Sequence, residues 1–289
     1  MAVYERTYKR WTGGVTPTAT RFTILPRYAF RDVFASRIFL AYFVACFSMP
    51  IFCCAFIYLS HNASFLKIFP DFDVSQIFVV DAAFFYTFLK VQAWFAFVLA
   101  LIVGPRLISR DLANNGLPLY LSRPFSRVEY LLGKGAVLAT LLSAITWVAG
   151  CFLLLLHANF IGLSWLFDNI RLVFGVFVGS WLWIITLSLF ALAAAAWSQF
   201  RTRAAGLMVI VLLGAAAFGE AFNNLFKSHA GDVLDLVQII LVIWAQLLGV
   251  EASGSPTIGP FTAWVALGVF VGACLLILHR KLRAYQVVS

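Results

Sequence analysis

Long apolar runs separated by short polar breaks dominate this chain. Six of them approach or exceed the roughly 20 residues a helix needs to cross a bilayer. They are Ile38–Leu59, Ala82–Gly104, Gly135–Leu156, Leu172–Trp197, Ala204–Ala221 and Phe261–Leu278, the fifth being short. Each predicts a membrane-spanning helix. A seventh run, Val233–Val250, is interrupted by Asp235, Gln238 and Gln246. Ahead of the first span, ILPRYAFRDVFASR puts Phe30, Val33, Phe34 and Ile38 at helical spacing, with Arg27 and Arg31 on another face. That pattern predicts an amphipathic helix lying in the membrane interface. Starting span one earlier would instead carry three arginines into hydrocarbon.

Composition turns this pattern into a class. The 289 residues are 63% hydrophobic and only 11% charged, with 30 Phe and 9 Trp. A soluble domain carries about 25% charged residues. A soluble core of this length has no room for so much apolar surface, so lipid is the expected solvent for much of it. The expected fold is all-α and integral to the membrane. The formal charge of +9 does not point to nucleic acid, because the basic residues stand at the ends of apolar runs rather than in a separate domain. The five cysteines all sit inside apolar runs with no CxxC or Cys/His spacing, which predicts small lipid-phase side chains rather than a metal or disulfide framework. The N-terminal MAVYERTYKRWTGG has no apolar core close behind it and does not read as a cleaved signal.

Charge also sets the expected orientation. Arg6, Lys9, Arg10, Arg21, Arg27, Arg31 and Arg37 precede span one; Arg106, Arg110, Arg123, Arg127 and Lys134 separate spans two and three. Arg201 and Arg203 separate spans four and five, and Arg280, Lys281 and Arg283 follow span six. These 17 lie on one side, against Lys67, Arg171 and Lys227 on the other, with Lys90 inside span two. Basic residues favour the cytoplasm. Six spans therefore place both termini in the cytoplasm. Counting Val233–Val250 as a seventh would put the last basic cluster outside, so that run is expected to be a re-entrant or interfacial helix on the outer side between spans five and six. The domain plan is a cytoplasmic N-terminus and interface helix over residues 1–37, then one six-span domain over 38–289.

The most informative polar break is SRDLANNGLPLYLSRPFSRVEYLLGKG, Ser109–Gly135, which takes up most of the loop 105–134. Pro105 is able to kink a helix, and Asn115-Gly116 is a left-handed stop. Leu117–Leu121 is apolar but too short to span. Pro124 breaks the chain again, and Ser126-Arg127-Val128-Glu129 has the form of a capping box that launches span three. An ordinary loop needs only a few polar residues; this one is arranged to present an apolar nub to a partner.

The same stretch resembles the permease subunits of ABC-2 type transporters. The resemblance rests on an Arg110-Asp111 pair after span two, the core LYLSRP, and a Tyr followed by Gly-Lys before span three. The order of interface helix, six spans and an outer re-entrant segment fits along nearly the full chain, although the outer loops here are short. The resemblance implies a transmembrane half that dimerises, a second copy being the expected mate, and that binds two separate ATPase subunits. It implies an exporter in the inner (plasma) membrane. On this reading the contact with the ATPase falls on Arg110, Asp111, Leu117, Tyr120, Leu121 and Arg123, with Gln199–Arg203 as a smaller second contact.

The chain's own catalytic chemistry is sparse. Gly133-Lys134 lacks the glycine five residues earlier and the Ser or Thr after lysine that a phosphate loop requires. No GxSxG or HExxH occurs. The four histidines stand singly near span ends and are expected to be interfacial. No cofactor, metal or nucleic acid is expected, and no catalysis by this chain. Lys90 is the exception inside a span. Tyr86 and Trp94, four residues to either side, share its helical face, and Glu220 near the outer end of span five is the expected partner; together they outline a possible pathway. A side chain stretching to the outer headgroups is the alternative for Lys90. Two other functions remain open at this level: a membrane anchor or assembly protein, and a lipid-modifying enzyme, neither with an ATPase partner.

Overall fold

The structure is a computed structural model that describes residues 24–62, 79–113, 127–198, 200–227, 229–250 and 258–281. Every regular element among them is helical. We number the α-helices in chain order: α1 Ile24–Phe34, α2 Arg37–Ala45, α3 Ser48–His61, α4 Ala82–Ala113, α5 Arg127–Ile145, α6 Trp147–Ile161, α7 Ser164–Asp168, α8 Ile170–Trp197, α9 Arg201–Val209, α10 Ala215–Phe226, α11 Leu236–Leu248 and α12 Pro260–Lys281. Helices α2 and α3 together make span one, α5 and α6 span three, and α9 and α10 span five, so that six units are long and apolar enough to cross a membrane. Each differs from its predicted limits by a few residues, chiefly because helices continue past the hydrocarbon. Span two is the clearest case, running on through Pro105 to Ala113.

At the centre is α8, against which α4, α5, α6, α9, α11 and α12 all pack. Its alanine-rich end explains the tight approach to α4: a Cβ placed on Gly104 would fall 2.5 Å from that of Ala191. Helices in lipid gain little from apolar burial, so close packing of small residues supplies much of the attraction. The windows of spans two, three and four are 61%, 61% and 56% buried, whereas spans one, five and six are 22%, 17% and 22% buried. The latter three form the outer wall.

The amphipathic stretch before span one differs from its expected outline. Helix α1 ends at Phe34, and Ser36 starts α2 by accepting from the Phe39 amide. Val33 is buried and Phe30 half-buried, but Ile38 belongs to the next helix and is exposed. The N-capping serine reorients the chain there, which helical counting straight through cannot foresee.

Span one breaks again at Cys46 and Phe47, for a reason written in its sequence. Pro50 has no N–H to give to the Cys46 carbonyl. The fully buried Gln92 of α4 donates its Nε2 to that carbonyl instead, at 3.1 Å, while Tyr42 Oη donates to the Phe95 carbonyl at 3.2 Å. An unpaired carbonyl in this environment costs about 1–3 kcal/mol. Gln92→Leu is expected to lose about that much in a thermal unfolding assay of the purified protein. In a Pro50→Ala background, where the backbone again has its own donor, the loss should fall close to zero. Equal losses in both backgrounds would show that the side-chain bond is not replacing the helical one.

Span five carries a π turn at Ile210–Gly214 between α9 and α10. Beyond α10, a 3-10 turn at Ala230–Leu234 folds back so closely that the backbones of Gly219 and Gly231 touch. Asn223 locks this approach: its Oδ1 accepts from the Gly231 amide at 2.7 Å and its Nδ2 donates to Asp232 Oδ1 at 2.6 Å.

The seventh apolar run becomes α11, a helix of 13 residues. At 1.5 Å per residue it is about 20 Å long, short of the roughly 30 Å hydrocarbon core. Its polar residues lie at its ends. Asp235 accepts from the Val237 and Gln238 amides at 2.9 and 3.2 Å. At the other end Arg171 of α8 donates to the Gln246 and Leu247 carbonyls at 2.7 and 3.3 Å. A carboxylate at the N-terminus and a guanidinium at the C-terminus both complement the helix dipole. Gly249 closes the helix in a left-handed conformation, with φ of 74°.

Candidate functional site

The stretch singled out in the sequence begins on the end of α4 and finishes on the start of α5. Tyr130 and Lys134 are one turn apart on α5 and therefore share a face. Asp111, on the extension of α4, meets both: Tyr130 Oη donates to Asp111 Oδ2 at 2.7 Å, and Lys134 Nζ lies 2.9 Å from the same oxygen. The ammonium also stands 5.7 Å from the centre of the Tyr130 ring. Tyr130 and Lys134 are buried, at 1% and 8% exposure. Charge-assisted bonds with so little water around them are strong, and each partner depends on the others for compensation. The clamp thus ties the end of α4 to the first turns of α5.

The surrounding groups tie this end of the bundle to its core. Ser109 Oγ lies 3.4 Å from the Ala195 carbonyl and 3.1 Å from that of Ser198, at the end of α8. Arg106 stands within electrostatic reach of Arg201. Helix α1 lies against α5. Arg110 belongs to α4. Leu117, Tyr120, Leu121 and Arg123, like Ser126, Gln199 and the Asn115-Gly116 stop, lie outside the described residues.

The second candidate region lies in the first half of α4. Lys90 and Trp94 are exposed and one turn apart, and they line a shallow groove with Trp183 of α8, Leu212 of the π turn and Trp244 of α11. Trp183 Nε1 donates to the Ala93 carbonyl at 3.2 Å and Trp244 Nε1 to that of Gly179 at 2.8 Å. With both indole N–H groups occupied, what the groove offers is ring faces and one ammonium. Tyr86 shares the helix but is half-buried against the core and is not part of the lining. Glu220 is exposed on α10 and forms no ion pair with Lys90 in this chain. The structure therefore brings Lys90 and Trp94 together and leaves Tyr86 and Glu220 apart from them.

Two histidines expected to stand singly do not. His61 of α3 and His157 of α6 have ring centres 5.1 Å apart, with His61 stacked on Phe160 at 4.9 Å and His157 edge-on to Trp165 at 4.7 Å. The packing of α3 on α6 joins them, and nothing in their sequence separation signals it. Two imidazoles fall short of a metal-holding set, and among the described residues no group of three metal-binding side chains occurs.

Fold and surface together define the class of this protein: all-α, with six helices fit to cross a membrane, hence a multi-pass membrane protein. In comparison with known proteins, no family model matches the chain and no curated protein matches it.

Proposed function

We propose that this chain is the permease subunit of an ABC-2 type transporter. It would form the translocation pathway as a homodimer, couple to two separate ATPase subunits and act as an exporter of the inner (plasma) membrane, with both termini cytoplasmic. The observation that carries this reading is the clamp of Asp111, Tyr130 and Lys134. They are three of the residues on which the resemblance rests, and they meet where the segment proposed to touch the ATPase leaves and rejoins the described helices. Two helix ends, those of α4 and α5, held together by an ion pair with a buried lysine are suited to passing a push from a partner into the spans. Lys90 and Trp94 are assigned to the pathway face. ATP hydrolysis is assigned to the partner, and this chain to a non-catalytic role.

The test is co-purification of the full-length permease with the ATPase expressed beside it, followed by measurement of coupled ATP hydrolysis and transport. Tyr120→Ala combined with Arg123→Glu should weaken ATPase binding by roughly tenfold or more, the scale of a lost anchor residue in an interface. The permease itself should still fold. Unchanged co-purification and unchanged coupling would rule this contact out. In the same system Lys90→Met should lower transport without lowering ATPase binding.

A further inference from the structure

Helices α9 and α12 each pack on α8, and the gap left between them is an apolar groove of about 260 Å³. Phe190, Ala194 and Trp197 of α8 form its back, Leu207 of α9 one side, and Phe270 and Ile277 of α12 the other. Phe190 and Phe270 meet edge to face at 5.3 Å. Between Phe190 and Trp197 the back wall is Ala193 and Ala194, where larger residues would fill the groove.

Its mouth has the opposite chemistry. Lys281 lies one turn beyond Ile277, and its Nζ stands 4.7 Å over the Trp197 ring. Arg203 lies one turn before Leu207, with its guanidinium 4.6 Å over the ring of Phe200. Arg201 and Arg280 are exposed at the same end. Helices α8, α9 and α12 contain no Asp or Glu to oppose these charges. Cations held on aromatic rings at the end of spanning helices mark the level of the headgroups.

We propose that this groove seats an acyl chain of an anionic phospholipid, with the headgroup held by Lys281 and Arg203. A slot that is apolar along its length and cationic only at its mouth matches an amphiphile with charge at one end. A second copy of the chain fits less well. Two-fold symmetry would bring the two basic mouths to the same depth, where like charges oppose association. The groove uses neither the clamp nor the Lys90 face. Although Arg203 also falls in the second ATPase contact Gln199–Arg203, the positions tested, Lys281 and Ala273, belong to no part of the proposed transport machinery.

The test is native mass spectrometry of the full-length protein released from nanodiscs of equal parts dioleoylphosphatidylglycerol and dioleoylphosphatidylcholine. The wild type should retain phosphatidylglycerol in preference. Lys281→Gln should lower that retention about fivefold at low salt, the effect of one basic residue at an anionic surface, and leave phosphatidylcholine unchanged. Ala273→Trp, at an exposed position on the groove wall, should displace both lipids. Equal retention of the two lipids by the wild type would overturn the proposal. So would undiminished lipid retention in Ala273→Trp, including the case where that variant instead loses its dimer.

Discussion

Replacing Asp111 by alanine is expected to destabilise this protein more than any substitution on its outer wall. Lys134 is 8% exposed and shares the Asp111 carboxylate with Tyr130. Without that carboxylate, the ammonium is left charged in a place with little water, and the phenol hydroxyl loses its acceptor. Removing one member of a buried pair costs about 3–5 kcal/mol. Thermal unfolding of the purified protein should show the loss directly. The double variant Asp111→Ala with Lys134→Met should recover much of it, because the uncompensated charge has then also gone. If the double variant is as unstable as the sum of the single ones, the two side chains are not acting as a pair.

The second large effect is expected at Gly231. A Cβ there would strike the Gly219 carbonyl and come within 2.7 Å of Asn223 Oδ1, the atom that accepts from the Gly231 amide. One obstacle is backbone and the other is held in place by Asp232, so neither can turn aside. Gly231→Ala should cost about 3 kcal/mol, at the upper end of overpacking effects. Limited proteolysis of the membrane-embedded protein is the suitable readout: the wild type should resist cleavage around residues 227–235, and the variant should be cut there. Equal resistance would mean that α10 and the 3-10 turn can separate without loss.

The number and approximate position of the spans were legible in the sequence because hydropathy over some twenty residues is a strong signal. The charge balance of the loops argues against counting Val233–Val250 as a span, and α11 is indeed too short to cross, though neither its length nor its end contacts are legible in the sequence. Asp235 caps its own helix, a local event, but Arg171 reaches the opposite end from α8, and no spacing rule connects position 171 with 246. The same limit applies to Gln92. Hydropathy carries span one straight through Pro50, and nothing in the sequence names the side chain that takes up the Cys46 carbonyl. Asp111, Tyr130 and Lys134 were each visible as parts of one motif, and only the fold joins them. Glu220 was assigned to Lys90 by depth alone, which ignores the direction in which each side chain leaves its helix.

That direction depends on the π turn at Ile210–Gly214. A π turn holds one residue more than the α turn it replaces, and one residue is about 100° of rotation. Span five is therefore a helix with a dislocation in its phase. Everything beyond the turn, Glu220 included, points about 100° away from where uniform counting from Arg201 would put it. The slip also decides which side of α10 carries Gly219 toward Gly231. If the turn regularised to α with every residue kept, Gly219 would swing about 100° away and leave the 3-10 turn without its seat. Deleting one residue from Ile210–Gly214 would instead remove the surplus and leave that face in place, so the turn absorbs one extra residue in mid-span and keeps everything on that side of the bundle docked.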